Sequence, residues 1–204
     1  MAGRSAPLRR RAFVWLAILL PSFAMLYGGA LAVSSLRHAS STIVTPWDRA
    51  VSFVPWTVWP YLAFDVLYCL SLFICTSREE LDRHAIRLLA TEIVCVAIFI
   101  AFPLRYSFAR PPTGGINGAL FKLIDVFDRP FNQAPSLHIA NLVIVWACIA
   151  RHTSRPWIYV VHASMALVAV STITTYQHHL LDVPSGLVVG LAVLLAIPIR
   201  KDSR

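Results

Sequence analysis

Apolar residues gather into long runs along the chain, and short segments rich in arginine and proline separate those runs. A helix needs about 20 mainly apolar residues to cross the hydrocarbon core of a bilayer. Runs near this length predict membrane-spanning helices over residues 12–35, 56–76, 87–104, 137–152, 157–176 and 183–199. The pattern therefore predicts an all-α membrane protein in which residues 1–204 form a single domain, a six-transmembrane-helix bundle.

Basic residues at the ends of these runs predict the orientation of the bundle. With the N-terminus in the cytoplasm, the outer side holds six of the 18 lysines and arginines and the inner side holds twelve, as the positive-inside rule requires. We therefore expect both termini in the cytoplasm. Short loops without a glycosylation acceptor are typical of a bacterial inner-membrane protein. The inner residues are Arg4, Arg9, Arg10, Arg11, Arg78, Arg83, Arg87, Arg151, Arg155, Arg200, Lys201 and Arg204.

Two outer segments have the pattern of short interfacial helices. A capping-box pattern at residues 45–48, with proline at the first helical position, predicts one of them. Trp47 of this helix is expected to lie in the aromatic belt of a membrane interface, together with Trp56 and Trp59. Within residues 105–135, apolar and charged side chains fall on opposite helical faces, which predicts an amphipathic helix at the interface. The apolar face holds Ile116, Leu120, Leu123, Ile124 and Phe127, and the charged face holds Lys122, Asp125 and Asp128.

Composition agrees with a membrane protein, since 14% of the residues are charged and soluble domains carry about 25%. The net charge of +8 would suit a nucleic-acid binder. The basic residues, however, lie at helix ends and form no stripe with interleaved aromatic residues, so no nucleic-acid partner is predicted. The four cysteines lie inside apolar runs without metal-ligand spacing. We therefore expect neither a metal nor a cofactor nor a disulfide.

Two polar segments fall at the outer ends of three predicted helices. Pro135-Ser136-Leu137-His138 opens the fourth helix, and the second segment runs from Ser171 to Asp182 between the fifth and the sixth. Positions four apart are neighbours on a helix, so the Asp182 carboxylate can fix the tautomer of His178 and leave its other ring nitrogen free to attack phosphorus. His179 is a competing choice of reactive imidazole. A simple ion pair at a helix end is the structural alternative.

Nearby residues have the chemistry to bind and protonate a phosphate. The free N–H groups of a helix start attract anions, and the Ser136 hydroxyl adds a donor. His138 can protonate a leaving oxygen. Arg105 and Arg110 can hold a phosphate through two hydrogen bonds each, although contact with lipid headgroups is an equally good explanation. For Arg129, phosphate binding and contact with lipid headgroups are likewise the two explanations.

These segments resemble the second and third motifs of the type 2 phosphatidic acid phosphatase superfamily, which is related to vanadium haloperoxidases. The superfamily pattern is Kx6RP, PSGH and SRx5HxxxD, and the PSLH form resembles the branch containing inositol phosphorylceramide synthase. The resemblance covers residues 100–190 and implies a phosphohistidine on His178, oriented by Asp182, with His138 protonating the leaving alcohol. It implies phosphate contacts from an arginine and from two serines, Ser136 and Ser171.

The sequence departs from this pattern in two places. Thr172 stands where the third motif has arginine, which removes one phosphate contact. For the first motif, Lys122 and Arg129 match the formula but lie closer to PSLH than the family normally allows. Arg110 has the usual distance, and Arg105 stands in for the missing lysine. We expect Arg110 and Arg105 to bind phosphate and keep Lys122 and Arg129 as the alternative.

The resemblance and the residue chemistry predict an enzyme that hydrolyses a lipid phosphate or diphosphate at the extracytoplasmic face of the bilayer without a metal. The alternative is a lipid phosphotransferase, in which an alcohol such as inositol replaces water. A third and weaker interpretation is an ion- or proton-coupled transporter built around Asp65 and Glu92. Carboxylates are costly in hydrocarbon, so both are expected to face the interior of the bundle.

Overall fold

The computed structural model describes residues 5–38, 41–127 and 129–199. Within these ranges the chain forms seven α-helices and no β-strand, apart from one backbone bridge between Arg105 and Phe131. The helices are α1 (Ser5–Leu36), α2 (Val58–Ile74), α3 (Arg78–Ala101), α4 (Gly115–Phe127), α5 (Leu137–His152), α6 (Ile158–Thr174) and α7 (Asp182–Ala196). Short 3₁₀ helices cover Pro46–Ala50, Pro55–Thr57 and Arg155–Trp157. Outside the described residues lie Arg4, Asp128, Arg200, Lys201 and Arg204.

Four helical segments of the described chain are long and apolar enough to cross a membrane. They are Ala6–Leu36, Pro55–Ile74, Arg78–Ala101 and Arg155–Thr174. The prediction of an all-helical protein with membrane-length apolar helices is therefore confirmed. The apolar helices α5 and α7 are shorter, at 16 and 15 residues. With a rise of about 1.5 Å per residue they extend about 23 Å, which is less than the hydrocarbon thickness of about 30 Å.

The short helix α5 occupies the centre of the bundle. It contacts α2, α3, α6 and α7. Side chains are buried around most of its circumference, from Leu137 through Val145 to Cys148. A helix that is apolar on all sides is stable only when neighbours cover every side. The central position of α5 therefore follows from its sequence, and its first turn lies where the polar PSLH segment begins.

Two glycines of α7 set the distance between α7 and α5. A Cβ atom at Gly186 would lie 2.5 Å from the carbonyl oxygen of Ser136, and one at Gly190 would lie 2.8 Å from that of Ala140. Glycines four residues apart allow two helix backbones to approach closely. The start of α7, with Asp182, is thereby brought against the start of α5.

Polar contacts close the opposite end of the bundle. Ser77 caps α3 by accepting the Glu80 N–H through its hydroxyl oxygen. The buried Glu80 carboxylate accepts the Thr76 N–H at 2.8 Å and lies 2.8 Å from Nε2 of His152. Arg87 of α3 donates to the carbonyl oxygen of Ile197 at 2.8 Å, which satisfies a group that the end of α7 leaves unpaired. These contacts fix α3, α5 and α7 together at this end.

The two predicted interfacial segments are helical. The first is the 3₁₀ helix Pro46–Ala50, whose Trp47 is exposed, and Trp56 and Trp59 are exposed as well. The second is α4, which buries Phe121 and Ile124 against Val58 and Tyr61 near the start of α2. Most of its predicted apolar face remains exposed, namely Ile116, Leu123 and Phe127.

The two intramembrane carboxylates differ in their surroundings. Glu92 is buried, with 1% of its surface exposed, and within the described residues neither of its carboxylate oxygens accepts a hydrogen bond. Asp65 lies on an exposed position of α2. The prediction that both carboxylates face the interior is therefore wrong for Asp65, because its side chain lies on the exposed surface of α2.

Alanine at Gly186 is expected to destabilise the protein, because its Cβ would overlap the Ser136 carbonyl oxygen and separate α7 from α5. Overpacking of this kind costs about 1–3 kcal/mol. Thermal unfolding of the purified protein in detergent measures the effect. The matched control is Gly28→Ala in α1, where a Cβ meets no atom within 4 Å. Equal unfolding midpoints for the two variants would contradict the close approach of α5 and α7.

Candidate active site

The predicted pair of His178 and Asp182 is formed at the junction between α6 and α7. The His178 ring nitrogen Nδ1 lies 3.1 Å from Oδ2 of Asp182, and the backbone N–H of His179 donates to the same oxygen at 2.8 Å. Asp182 is the first residue of α7, where the helix dipole favours a negative charge, and its side chain is fully buried. With Nδ1–H donated to the carboxylate, the basic nitrogen of His178 is Nε2.

The PSLH segment lies directly against this pair. The N–H of Ser136 donates to the backbone carbonyl of Asp182 at 3.1 Å, and its hydroxyl oxygen caps α5 by accepting the Ile139 N–H at 3.3 Å. This contact joins the two polar segments that the sequence placed at one end of the bundle. The capped hydroxyl keeps its own proton, which it can donate to a ligand.

His138 lies in an aromatic pocket beside His178. Its ring stacks on Tyr61 with a centroid distance of 4.4 Å and contacts Phe64 at 4.5 Å. Within the described residues its Nε2 is buried without a hydrogen-bond partner. His138 follows Ser136, whose N–H contacts the Asp182 carbonyl, by two residues. His138 and His178 therefore lie at the same end of the bundle, in one region around the starts of α5 and α7.

Arg110 is the predicted basic residue that the structure places beside this region. Its Nε donates to the carbonyl oxygen of Thr175, at the end of α6, at 3.2 Å. One terminal nitrogen donates to Asp125 at 2.9 Å, and the guanidinium lies 4.6 Å from the centroid of the Phe121 ring. The remaining predicted cations have exposed side chains between α3 and α5, namely Arg105, Lys122 and Arg129.

Ser171 and Thr172 shape the loop that carries His178. Both are buried, and their hydroxyls donate to carbonyl oxygens one turn earlier in α6, at 2.6 Å and 2.8 Å. The carbonyl oxygen of Thr172 accepts the N–H groups of Gln177 and His178. The structure therefore brings Ser171 near the site as part of the backbone support, with its hydroxyl engaged within α6.

A second contact between an imidazole and a carboxylate was missed by the sequence analysis. His179 has 1% of its surface exposed, and its Nδ1 lies 3.5 Å from Oδ1 of Asp48 without hydrogen-bond geometry. Asp48 accepts the N–H of Leu180 at 2.7 Å and both the N–H and the hydroxyl of Thr45 at 2.6 Å. The capping-box pattern identified the contact with Thr45. No local pattern indicates contacts across more than 130 residues.

His179 connects the segment after α1 and the segment after α3 to the loop between α6 and α7. Its Nε2 lies 3.0 Å from the Ser107 hydroxyl oxygen and 3.4 Å from that of Thr42. The ring stacks on Tyr106 with centroids 4.4 Å apart. The Ser107 N–H points at Nε2, which favours the tautomer with its proton on Nδ1, toward Asp48.

In the second pair, burial dominates the pKa of His179, whereas hydrogen bonds dominate the pKa of Asp48. Burial lowers the pKa of His179 and outweighs the attraction of Asp182 and Asp48. For Asp48, burial acts to raise the pKa, but the hydrogen bonds from Thr45 and Leu180 outweigh it and hold the pKa below its usual value. The folded protein therefore favours a neutral His179 beside an ionised Asp48.

Comparisons with protein-family models, with curated proteins and with solved structures returned no match for this chain. Within the described residues, no group of three or more His, Cys, Asp or Glu side chains is arranged to hold a metal ion. The arrangement itself combines an oriented imidazole, a second imidazole among aromatic rings, a guanidinium and the N-terminus of α5. Such a set can bind an anion and transfer protons to and from it.

Lowering the pH from about 7.5 to 5 is expected to destabilise the protein partly through His179. Because its pKa in the folded state lies below the unfolded value of about 6.5, the unfolded chain binds more protons in this range. The contribution of His179 is therefore present above the unfolded pKa and is lost as the pH falls. The measurement is the unfolding midpoint against pH, and His179→Gln should show a smaller decrease than the unmodified protein.

The control for this experiment is His162→Gln, which changes an exposed histidine that accepts a hydrogen bond from Trp146. It should keep the full decrease of the midpoint on acidification. An unchanged pH dependence in His179→Gln would show that burial does not hold this imidazole neutral.

Proposed function

We propose that the protein is a membrane lipid phosphatase that hydrolyses a phosphate or diphosphate ester through a phosphohistidine on His178. The observation that carries this proposal is the hydrogen bond from Nδ1 of His178 to the buried Asp182, at the end of the bundle where His138 lies in the first turn of α5. A carboxylate that accepts one ring proton leaves the other nitrogen as the nucleophile. The resemblance to the type 2 phosphatidic acid phosphatase superfamily supports the same assignment.

In the first step, Nε2 of His178 attacks phosphorus and the bond between phosphorus and the lipid oxygen breaks. His138 donates a proton to that oxygen, so a lipid phosphate leaves as its neutral alcohol. With a diphosphate, attack on the terminal phosphorus breaks the bond to the bridging oxygen, and the lipid leaves as its monophosphate. Arg110, the Ser136 hydroxyl and the free N–H groups at the start of α5 contact the nonbridging oxygens. These groups stabilise charge that develops on phosphorus oxygens in the transition state.

The aromatic pocket around His138 suits this role in proton transfer. Aromatic ring faces attract a cation, and the Tyr61 and Phe64 rings contact the imidazole. The proposed acid role requires His138 to be an imidazolium when substrate is bound, and the negative charge of the substrate phosphate has to offset the cost of burying that charge. The imidazole is neutral after the first step, when it accepts a proton.

In the second step, water attacks the phosphohistidine, His138 accepts a proton from that water, and inorganic phosphate leaves with the nitrogen–phosphorus bond broken. An alcohol in place of water would give transfer, as in the inositol phosphorylceramide synthase branch. Thr172 bears on this choice because it is fully buried and its hydroxyl is bonded within α6. The position where the third motif has arginine therefore offers no side chain to the phosphate.

We propose six membrane-spanning helices, with α5 and α7 crossing inside the bundle where the other helices cover them. The excess of arginine at the end that holds the start of α1 and of α3 supports a cytoplasmic placement of that end. The active site then opens toward the outer leaflet of a bacterial inner membrane. The transporter alternative is weaker, because it required Asp65 and Glu92 to face one interior path, and Asp65 is exposed.

Loss of His178 is expected to abolish phosphate release. In His178→Ala no nucleophile remains, and in His138→Ala the rate should fall about 10²–10⁴-fold because general acid catalysis is lost. The assay measures inorganic phosphate released by purified protein in detergent from a panel of lipid phosphates: phosphatidate, phosphatidylglycerophosphate, a polyprenyl diphosphate and a lipid A phosphate. His162→Ala is the control, because this histidine is exposed and lies outside the site.

Retention of full phosphate release in both His178→Ala and His138→Ala would reject the mechanism. Incubating a labelled lipid phosphate with inositol or a glycan acceptor separates hydrolysis from transfer. Free phosphate as the sole labelled product supports the phosphatase, and a labelled acceptor supports the transferase. Absence of both products across the panel, with folded protein, would reject the proposed function.

A further inference from the structure

A groove with three arginines lies at the end of the bundle opposite the candidate active site. It has a volume of about 440 Å³ and runs between the first turns of α1 and the start of α3. Arg10 and Arg11 of α1 and Arg78 of α3 line it, together with Trp15 and the aliphatic side chains of Val14 and Ile18. No step of the proposed reaction uses these residues.

One wall of the groove is fixed by Asp82 of α3. Two nitrogens of the Arg11 guanidinium donate to the two carboxylate oxygens of Asp82, at 2.5 Å and 2.7 Å. The indole N–H of Trp15 donates to the same carboxylate at 2.7 Å. Asp82 therefore fixes the Trp15 ring and the Arg11 guanidinium in place without a ligand.

The groove has a surplus of positive charge after this pairing. Three arginines and one aspartate leave a balance of two positive charges. Arg10 and Arg78 are exposed, and within the described residues no side-chain hydrogen bond or ion pair is formed by either. Both guanidiniums are therefore available to an anion in the groove, with up to five N–H donors each.

The polarity of the groove changes along the axis of α1. Residues 11, 14 and 18 share one helical face, so the lining passes from a guanidinium to Val14 and then to Ile18. With a rise of about 1.5 Å per residue, Ile18 lies about 10 Å deeper along the helix than Arg11. Val14 and Ile18 are about half exposed. A charged mouth that continues into an aliphatic channel matches a phospholipid headgroup followed by its acyl chain.

We propose that this groove binds an anionic phospholipid whose headgroup carries two negative charges, in the leaflet at that end of the bundle. Basic pockets between helix ends bind anionic headgroups by charge complementarity, and a doubly charged phosphate neutralises the two surplus charges. A water-soluble phosphate would leave the aliphatic part of the groove unfilled. A zwitterionic headgroup would place its cationic group next to the arginines, which would repel it.

The experiment uses photoreactive phosphatidate, the phosphomonoester lipid, with a diazirine near the start of one acyl chain. The full chain carries His178→Ala to prevent turnover and is reconstituted in phosphatidylcholine nanodiscs at about pH 8. Peptide mass spectrometry locates the crosslinks. The expected result is labelling of α1 around Val14 and Ile18, with much less labelling by photoreactive phosphatidylcholine.

The variant pair tests whether the groove arginines cause this binding. Arg10→Gln combined with Arg78→Gln should weaken α1 labelling by about thirtyfold in apparent affinity, since each arginine near a membrane surface contributes about 1 kcal/mol. The charge-matched control combines Arg9→Gln with Arg155→Gln, which are exposed, lie near the same end and do not line the groove. Thermal unfolding shows that each variant is folded.

Equal loss of labelling in the two double variants would overturn the proposal in favour of general surface charge. Equal labelling by phosphatidate and phosphatidylcholine would overturn the charge requirement. If inorganic phosphate or glycerol phosphate displaces the lipid at comparable concentration, the ligand is a free phosphate and the lipid assignment fails. Crosslinks confined to residues near His138 would place the lipid in the active site and leave the groove without a ligand, which also rejects the proposal.

Discussion

The buried carboxylate of Asp182 is the group on which the arrangement of this end of the bundle depends. Its side chain accepts hydrogen bonds from the His178 ring and from the His179 backbone, and its own carbonyl accepts the Ser136 N–H. One residue therefore joins the loop after α6, the start of α7 and the start of α5. A buried charge is stable only when such partners surround it. The close approach of α7 to α5 at Gly186 is what makes the Ser136 contact possible.

The segments that follow α1 and α3 are attached to this centre by contacts around a second carboxylate, Asp48. The Asp48 carboxylate accepts the N–H of Leu180, which lies in the loop between α6 and α7. From the same loop, the His179 ring contacts the hydroxyls of Ser107 and Thr42. Further along the outer segment, the N–H of Val54 donates to the carbonyl oxygen of Thr174 at 2.9 Å. These contacts satisfy backbone groups that a loop at a membrane surface would otherwise leave unpaired. They also attach the loop that carries His178 and His179 at points other than Asp182.

The sequence predicted those features that depend on local pattern. Apolar run length predicted the helices, and the spacing of four residues predicted the contact of His178 with Asp182. Contacts between distant segments were not predictable in this way, as Asp48 and His179 show. The side of α2 that carries Asp65 depends on how the helices pack, which hydropathy does not encode. Motif spacing favoured Arg110 together with Arg105, but it could not tell the two apart, and the structure places Arg110 against the end of α6 while the Arg105 side chain is exposed. The family resemblance remains a prediction from the motifs alone.

The charges around the candidate site constrain how it can bind a phosphate. Asp48 and Asp182 are both buried there, and the guanidinium of Arg110 is already paired with Asp125. Counted without the imidazoles and the exposed cations of neighbouring segments, these groups carry no positive surplus for a doubly charged phosphate. The N-terminus of α5 supplies a partial positive charge of about half a unit, which is too little to compensate. If His138 is the general acid of the proposed mechanism, its imidazole must take up a proton as the phosphate binds, because only the negative charge of the phosphate can offset the burial of the charged ring. The proton needed by the leaving alcohol would thus be taken up when the substrate binds, before the bond to phosphorus breaks.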